Sequence, residues 1–327
     1  MQRNGLIFKS LSDTLTCRLV LSAKGIPELS TPNRLLFTMA IETALEQAAQ
    51  SYWHPQPEVP LPARPAWVLN TCADADSFSK GLKVLDTAFP TAPPIFNHPR
   101  AVMASRRDIA GLVLADIPGL DVPKCRRFMA HSPRSFVDCF EQGDFHYPVT
   151  VQPTTSRNGA DRVWIAHPLD WQTAFNMARG GQQHHMVQAN PEEAAADWAL
   201  RMVFVGRGGT VEPFHHNKKD GLADPVMQAS KPLVQSVFKT AMARMPLDFW
   251  TLDAVVLAPD RLRLLDVCTG LHVPTDDDHL PELRQLGLRV TTHLAPRISA
   301  LLAEPHKWRG EARQLPSVAT LKKRYGA

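Results

Sequence analysis

The stretch LDAVVLAPDRLRLLDVCTG, from Leu252 to Gly270, places a carboxylate at Asp253, a turn at Pro259-Asp260 and a second carboxylate at Asp266, near the end of an apolar run. Two runs of this kind around a short turn predict a β-hairpin. Folding at the turn brings Asp253 and Asp266 face to face. Opposed carboxylates of this kind have two readings. They either end two surface strands or hold acidic groups in register for a metal ion.

The flanking sequence extends the pattern. WALRMVFVG (198–206) and TVEPFHH (210–216) read as strands paired across Arg207-Gly208-Gly209, and a helix follows over 226–244. Upstream, YPVTVQP (147–153) alternates like a strand, TTSRNGAD (154–161) is a loop, and RVWIAHP (162–168) returns. A helix in DWQTAFNMARGG (170–181) and the strand HHMVQ (184–188) complete that region. Earlier still, Ala66–Asn70, a helix in SFSKGLKVLDTAF (77–89) and Pro93–Asn97 form a strand-helix-strand unit, which predicts a small α/β domain with a parallel pair. HPRAVMASRRDIAGLVLADIPGL (98–120) reads as a helix, with Pro99 near its start and Gly119 past its end. TPNRLLFTMAIETALEQAAQSYW (31–53) reads as a helix entered through Thr31 and Pro32. The C-terminal HLPELRQLGLRVTTHLAPRISALLAEP (279–305) is helical with a break near Pro296, ahead of a basic tail.

Composition narrows the class. The 327 residues are 44% hydrophobic and 21% charged, the balance of a globular protein with two or three subdomains. A net charge of +4 and a pI near 8.8 suit an anionic small ligand as well as a nucleic acid. The N-terminus MQRNGLIFKSLSD lacks a signal-peptide core, and no apolar run approaches the length of a membrane span. The five cysteines are scattered and odd in number, which fits reduced thiols in a cytoplasm.

Four stretches in order carry a resemblance. PPIFNHPRAVMASRRDIAGLVLADIPGLDVPKC, YPVTVQPTTSRNGADRVWI, LRMVFVGRGGTVEPFHH and LDFWTLDAVVLAPDRLRLLDVCTG resemble the ATP-grasp superfamily. They are most similar to the ATP-grasp domains of bacterial multidomain proteins that also carry tetratricopeptide repeats. The likeness spans about residues 66–275. It implies an α/β (α+β) fold in which two antiparallel-sheet subdomains clasp ATP and Mg2+ beside a small N-terminal α/β domain. The implied division is an extension over 1–60, the α/β domain over 61–124, a lid over 125–190, the hairpin subdomain over 191–303 and a basic tail over 304–327.

The resemblance also assigns residues. Arg107, with Arg106 as its neighbour and competitor, stands where the family holds phosphate. Gln152 stands where it has a lysine or arginine; an amide can bond phosphate but brings no charge. Thr154, Thr155, Ser156 and Arg157 belong to a phosphate-covering loop, and Met186, Val187 and Gln188 to the strand that edges adenine. Arg201 faces acyl substrate or phosphate, and Asp253 and Asp266 hold magnesium. Asp266 and Cys268 replace the family's Glu and Asn. Two features stand outside the resemblance. Asp74 and Asp76 follow a strand end, as substrate contacts or as a helix cap. The pairs His184-His185 and His215-His216 cannot chelate singly, because neighbours on a strand face opposite ways.

The implied activity is an ATP-dependent ligase that joins a small-molecule or peptide carboxylate to an amine-type nucleophile through an acyl phosphate. A homodimer is compatible with that reading. The alternatives are a degenerate domain that binds nucleotide, peptide or protein without turnover, and nucleic-acid binding through the basic tail, which lacks an aromatic platform.

Overall fold

Three sheets position the site, and each is assembled from segments distant in sequence. The structure, a computed structural model, describes residues 4–13, 18–21, 27–30, 39–56, 58, 60–89, 93–156, 161–177, 181–195, 198–205, 213–217, 225–245, 247–269, 281–307 and 318–325. The expected helix start at Thr31 and Pro32, the turn at Arg207-Gly208-Gly209, and Arg157 lie outside these residues.

The first sheet is parallel, in the order Ala49–His54, Gly5–Ser10, Trp67–Asn70, Ile95–Phe96. Trp67–Asn70 is buried throughout, as a strand covered on both faces must be. Gly5 lies under the Trp67 indole, where a Cβ would collide with the ring. Two of the four strands precede residue 61, so the segment expected as an extension supplies half the sheet. The helix expected over 31–53 stops at Ala48, and Ala49–His54 is strand. The β-favouring Tyr52 and Trp53 find a partner in Gly5–Ser10, and pairing overrides helical continuation.

The second sheet is antiparallel, in the order Val163–Ile165, Val149–Pro153, Gln182–Gln188, Cys125–Ala130. Val149, Val151 and Met186 enter a small core with Phe136 and Trp171. Phe136 comes from the helix Pro133–Gln142, which the sequence reading did not single out. The third sheet runs Pro213–Asn217, Trp198–Val205, Phe249–Ala258, Arg261–Cys268, Leu120–Asp121. Its two middle strands are the expected hairpin, and Phe204 stacks on Trp250 with centroids 3.7 Å apart. Helix Pro281–Ala303 continues through Pro296, where a break was expected. Pro296 is exposed, so water can bond the carbonyl freed one turn earlier.

The segment 98–120 forms two helices, Pro99–Ala104 and Arg107–Leu114. Ser105 closes the first by bonding Val102 O through its hydroxyl at 2.7 Å and its N–H at 3.0 Å. Gly119 then turns with φ +78°, under Leu233, where any side chain would clash. The tail is partly core: in helix Val318–Tyr325, Leu321 is buried with Ile109 and Val113.

Asn97 ties the first sheet to the hairpin. Its φ of +50° turns the chain, a conformation that asparagine tolerates. Its Oδ1 accepts from Asp248 N (2.8 Å) and Phe249 N (3.0 Å), its Nδ2 donates to Phe249 O (3.0 Å), and its N–H donates to Asp248 Oδ2 (2.8 Å). Asn70 Nδ2 takes the Asn97 carbonyl at 2.8 Å. The turn is satisfied and buried, so the helices that follow it have a fixed bearing on the hairpin.

Candidate active site between hairpin and lid

Arg107 is the first residue of its helix, and two adjacent arginines at a helix N-terminus oppose the dipole unless carboxylates offset them. The two are offset differently. Arg106 folds back onto Asp108 of its own helix (Nε–Oδ1 3.0 Å, Nη2–Oδ2 2.7 Å). Burial works against the Asp108 charge, but Arg106, helped by His185 and Lys322, holds its pKa below the usual range. Lys322 Nζ, from the C-terminal helix, lies 3.4 Å from Asp108 Oδ2. Arg107 instead reaches across to the hairpin and grips Asp266 with both edges (Nε–Oδ1 3.3 Å, Nη2–Oδ2 3.0 Å). Both side chains of that pair are 13% exposed.

Asp266 lies directly opposite Asp253, as the turn position predicted, and a bulge follows at Ala254. Directly opposed residues share a face, so the two carboxylates stand side by side. Beside Asp266 lies a narrow crevice, closed down to about the size of a water molecule. Arg107 and Gly111 line it from the helix, Val122 and Cys125 from the lid entry, Val187 from the lid's central strand, and Leu264 to Val267 from the hairpin. Its walls are mainly apolar with charge at one end. Burial pushes the Cys125 thiol up to about 12, with Asp108, Asp266 and Asp76 adding to it against Arg107, so it stays a neutral wall.

On the lid side, Gln152 is 2% exposed and opposite His185. Thr154 and Ser156 are buried and Thr155 is exposed; Thr154 N–H bonds Gln183 O at 2.9 Å. Arg162 was not singled out from the sequence. Its Nε donates to Gln152 Oε1 at 3.0 Å. Burial and then the Arg107 charge lower its pKa, while Glu193 and Asp266 act the other way, which places its guanidinium among the site's charges. The available signal was a cation at the far end of the loop, in register with Gln152.

Of the residues expected to edge adenine, Val187 lines the crevice, whereas Met186 is buried in the lid core. Gln188 is a structural joint: its N–H bonds Lys124 O (2.8 Å), its side chain bonds His146 O and Pro148 O (2.7 and 2.9 Å), and its carbonyl accepts from Arg263 Nη2 (2.6 Å). Arg263 also binds Asp121 Oδ2 at 2.8 Å and Glu193. Arg263, absent from the sequence reading, thus joins the strand Gln182–Gln188, the helix Pro191–Ala195, the hairpin and the short edge strand. Arg201 pairs in register with Asp253 and with Phe214, and its side chain lies outside the description.

Asp74 accepts the N–H groups of Asp76 (2.7 Å) and Ser77 (3.2 Å) and closes a turn ahead of the helix Ser79–Thr87; the helix starts at Phe78 without a side-chain cap, so the expected capping role is not made. Asp76 pairs with Arg127 of the lid and so links lid to first sheet. His184 and His185 face opposite ways, as expected on a strand. His184 Nδ1 donates to Gln182 O at 3.1 Å among Phe128 and Phe136, and burial lowers its pKa. The side chains of His215 and His216 lie outside the description.

Among the described residues no three Asp, Glu, His or Cys side chains cluster closely enough to hold a metal by themselves. Asp253 and Asp266 supply hard oxygen donors only, a set that fits magnesium completed by phosphate and water. Among the same residues no helix is long and apolar enough to cross a membrane.

No protein-family model matches the sequence, and no curated protein does. Solved structures do match. The chain is similar to a RimK domain ATP-grasp protein from Sphaerobacter thermophilus (TM-score 0.52, 16% identity, 90% of this chain and 99% of that one). It is also similar to D-alanyl-alanine synthetase A from Vibrio cholerae (0.54, 11%, 91% and 99%) and to VanG D-Ala:D-Ser ligase from Enterococcus faecalis (0.53, 11%, 91% and 98%). At such identities what is shared is architecture, carried over almost the whole of each chain: this protein has the ATP-grasp fold.

Proposed function

We propose that the chain is an ATP-dependent ligase that joins a carboxylate to an amine or similar nucleophile through an acyl phosphate. The observation that carries this is the two-edged Arg107–Asp266 pair at the charged end of the crevice between Val187 and Leu264. The crevice would widen to take adenine, and the phosphates would run toward Arg107, Gln152 and the loop Thr154 to Ser156. Arg107 would pass from Asp266 to phosphate oxygens, and Asp266, with Asp253, would hold magnesium. The arriving cation would replace Arg107 at Asp266 while the arriving anion replaces Asp266 at Arg107. Magnesium bound there would screen charge on the phosphates.

The chemistry then rests on positioning and on fixed charge. A substrate carboxylate oxygen bonds the γ-phosphorus as the bond to the β–γ bridging oxygen breaks and ADP leaves. The nucleophile next bonds the acyl carbon, loses its proton and expels phosphate. Arg201, in register with Asp253, is our candidate to hold the acyl group. The substrates are a small-molecule or peptide carboxylate and an amine. The described cysteines, Cys72, Cys125, Cys139 and Cys268, are free thiols, which supports a cytoplasmic setting. The narrower likeness to domains of tetratricopeptide-repeat proteins remains part of this reading and rests on the four motif stretches.

Calorimetric titration of ATP with and without magnesium, on the unaltered chain and on Asp266→Ala, tests the proposal. Magnesium-dependent binding that disappears in the variant supports it; no binding at millimolar ATP overturns it. Cys268, in the place of a family Asn, favours a second reading, nucleotide binding without turnover. Tight ATP binding with no ADP release across a panel of carboxylates and amines would select it.

A further inference from the structure

The resemblance expects a cation at position 152, and the chain has Gln152. This glutamine is engaged at both ends. Its Oε1 accepts from Arg162 Nε at 3.0 Å, and its Nε2 lies 3.5 Å from Ser156 O. The strands Val149–Pro153 and Val163–Ile165 are antiparallel with Val151 opposite Val163, so one step further the same register sets Gln152 opposite Arg162. Residues so opposed project from one face. Gln152 is also opposite His185, so that face carries Arg162, Gln152 and His185 in a row.

We propose that Arg162 is the second phosphate-binding cation of the nucleotide site, held in place by Gln152, so that the charge has moved from one lid strand to its neighbour. The inference rests on the nucleotide reading above and adds a residue to it.

Three observations carry the argument. Among the described residues Arg162 makes no ion pair, and Gln152 is a neutral partner. One N–H of five is used, and the rest of the fork remains for an anion. Next, Arg107 and Asp266 both lie near enough to act on the Arg162 charge. Asp266 is gripped on both oxygens by Arg107, so its carboxylate is already bonded to another guanidinium. A polyphosphate offers oxygens to the unused edge of the Arg162 fork.

The last observation is the identity of residue 152. Lysine has donors only, so it could not accept the Arg162 N–H and would set a second cation against it. Glutamate could accept but would cancel the charge. Glutamine accepts and leaves the charge whole. The residue that breaks the family pattern is therefore the residue that a cation at 162 requires.

The test compares the unaltered chain with Arg162→Gln, Gln152→Lys and the double exchange Gln152→Lys/Arg162→Gln. Calorimetry uses magnesium ATP, inorganic tripolyphosphate and adenosine, and thermal unfolding checks that each protein is folded. Arg162→Gln is expected to weaken ATP and tripolyphosphate about tenfold or more, the effect of losing a charge-assisted contact, and to leave adenosine nearly unchanged. Gln152→Lys alone should also weaken both anions, and the double exchange should recover most of the loss. Arg162→Lys, which keeps charge without the fork, should fall between and serves if Arg162→Gln does not fold. ATP binding by Arg162→Gln equal to the unaltered chain overturns the inference while leaving the nucleotide reading in place. So does tighter ATP binding by Gln152→Lys alone. Arg162-dependent tripolyphosphate binding without ATP binding keeps the cation and removes the nucleotide. Binding of neither ligand removes both.

Discussion

Arg263 and Arg107 meet the same hairpin strand three residues apart, one as a member of it and the other through Asp266, and they are held in opposite ways. Arg263 is 5% exposed and satisfied by Glu193, Asp121 and the Gln188 carbonyl, partners from three separate elements. Arg107 has one carboxylate at the rim of a crevice. A guanidinium enclosed by several fixed partners belongs to the scaffold. One that shares a single carboxylate at a crevice can change partner when an anion arrives. Burial alone does not separate the two; the number and origin of the partners does.

Breaking the first half of the contrast gives the largest effect. Arg263→Ala should cost about 3 to 5 kcal/mol, because Glu193 keeps a largely buried charge with the Asn190 N–H at 3.3 Å in place of a cation, and Asp121 and the Gln188 carbonyl lose their partner as well. Urea unfolding measures this, and a variant as stable as the parent would end the distinction. Arg107→Ala should do the reverse. It should cost only about 1 kcal/mol of stability, since Asp266 keeps the Val267 N–H at 2.9 Å, while ATP affinity falls about a hundredfold. A loss of stability matching that of Arg263→Ala would make Arg107 scaffold as well.

A smaller effect sharpens the comparison from the lid. His184 has its pKa lowered in the folded chain from the ordinary 6.5 by burial among Phe128 and Phe136. Above pH 6.5 both folded and unfolded forms leave it neutral, and its full contribution to stability is present. As pH falls below 6.5 the unfolded chain takes the proton first, so stability drops until the folded pKa is reached. His184→Phe should therefore make the difference in unfolding free energy between about pH 7.5 and about pH 5.5 smaller. An unchanged difference would mean that the ring titrates freely. Smallest is Lys322→Ala, expected to cost less than about 1 kcal/mol because Asp108 keeps Arg106. A larger loss in thermal unfolding would make the C-terminal helix a main support of the helix that carries Arg107.

These contrasts mark what the sequence could and could not reveal. The Asp253–Asp266 register follows from a local turn and an alternating pattern, so it was readable. The strand pair Trp198–Val205 and Pro213–Asn217 was readable for the same reason. Gly5–Ser10 was not, because its partners Ala49–His54 and Trp67–Asn70 are remote in the chain and its own six residues carry no turn signal. The choice of Arg107 over Arg106 depends on an aspartate 159 positions away. Arg263 was hidden in the hairpin's own RLRLLD, where a charged residue in a strand reads as a solvent-facing one. Arg162 was not readable as a partner of Gln152 because the loop between them hides the register of the two strands. Local pattern reveals elements and their registers; it does not reveal which charge from another element will answer a charge in this one.

The Asn97 turn also sets an order of events during synthesis. Its side chain waits for Asp248 and Phe249, 151 and 152 residues later. At ribosomal speeds of about 5 to 20 residues per second, that delay is on the order of ten to thirty seconds. Through that interval the first sheet emerges with a polar corner still wet and with apolar surface that only the later sheet will cover. Asp266 emerges later still and Lys322 after it, so the helix bearing Arg107 receives these contacts in that order. The nascent N-terminal half is thus the part of this protein most dependent on being sheltered until its other half arrives.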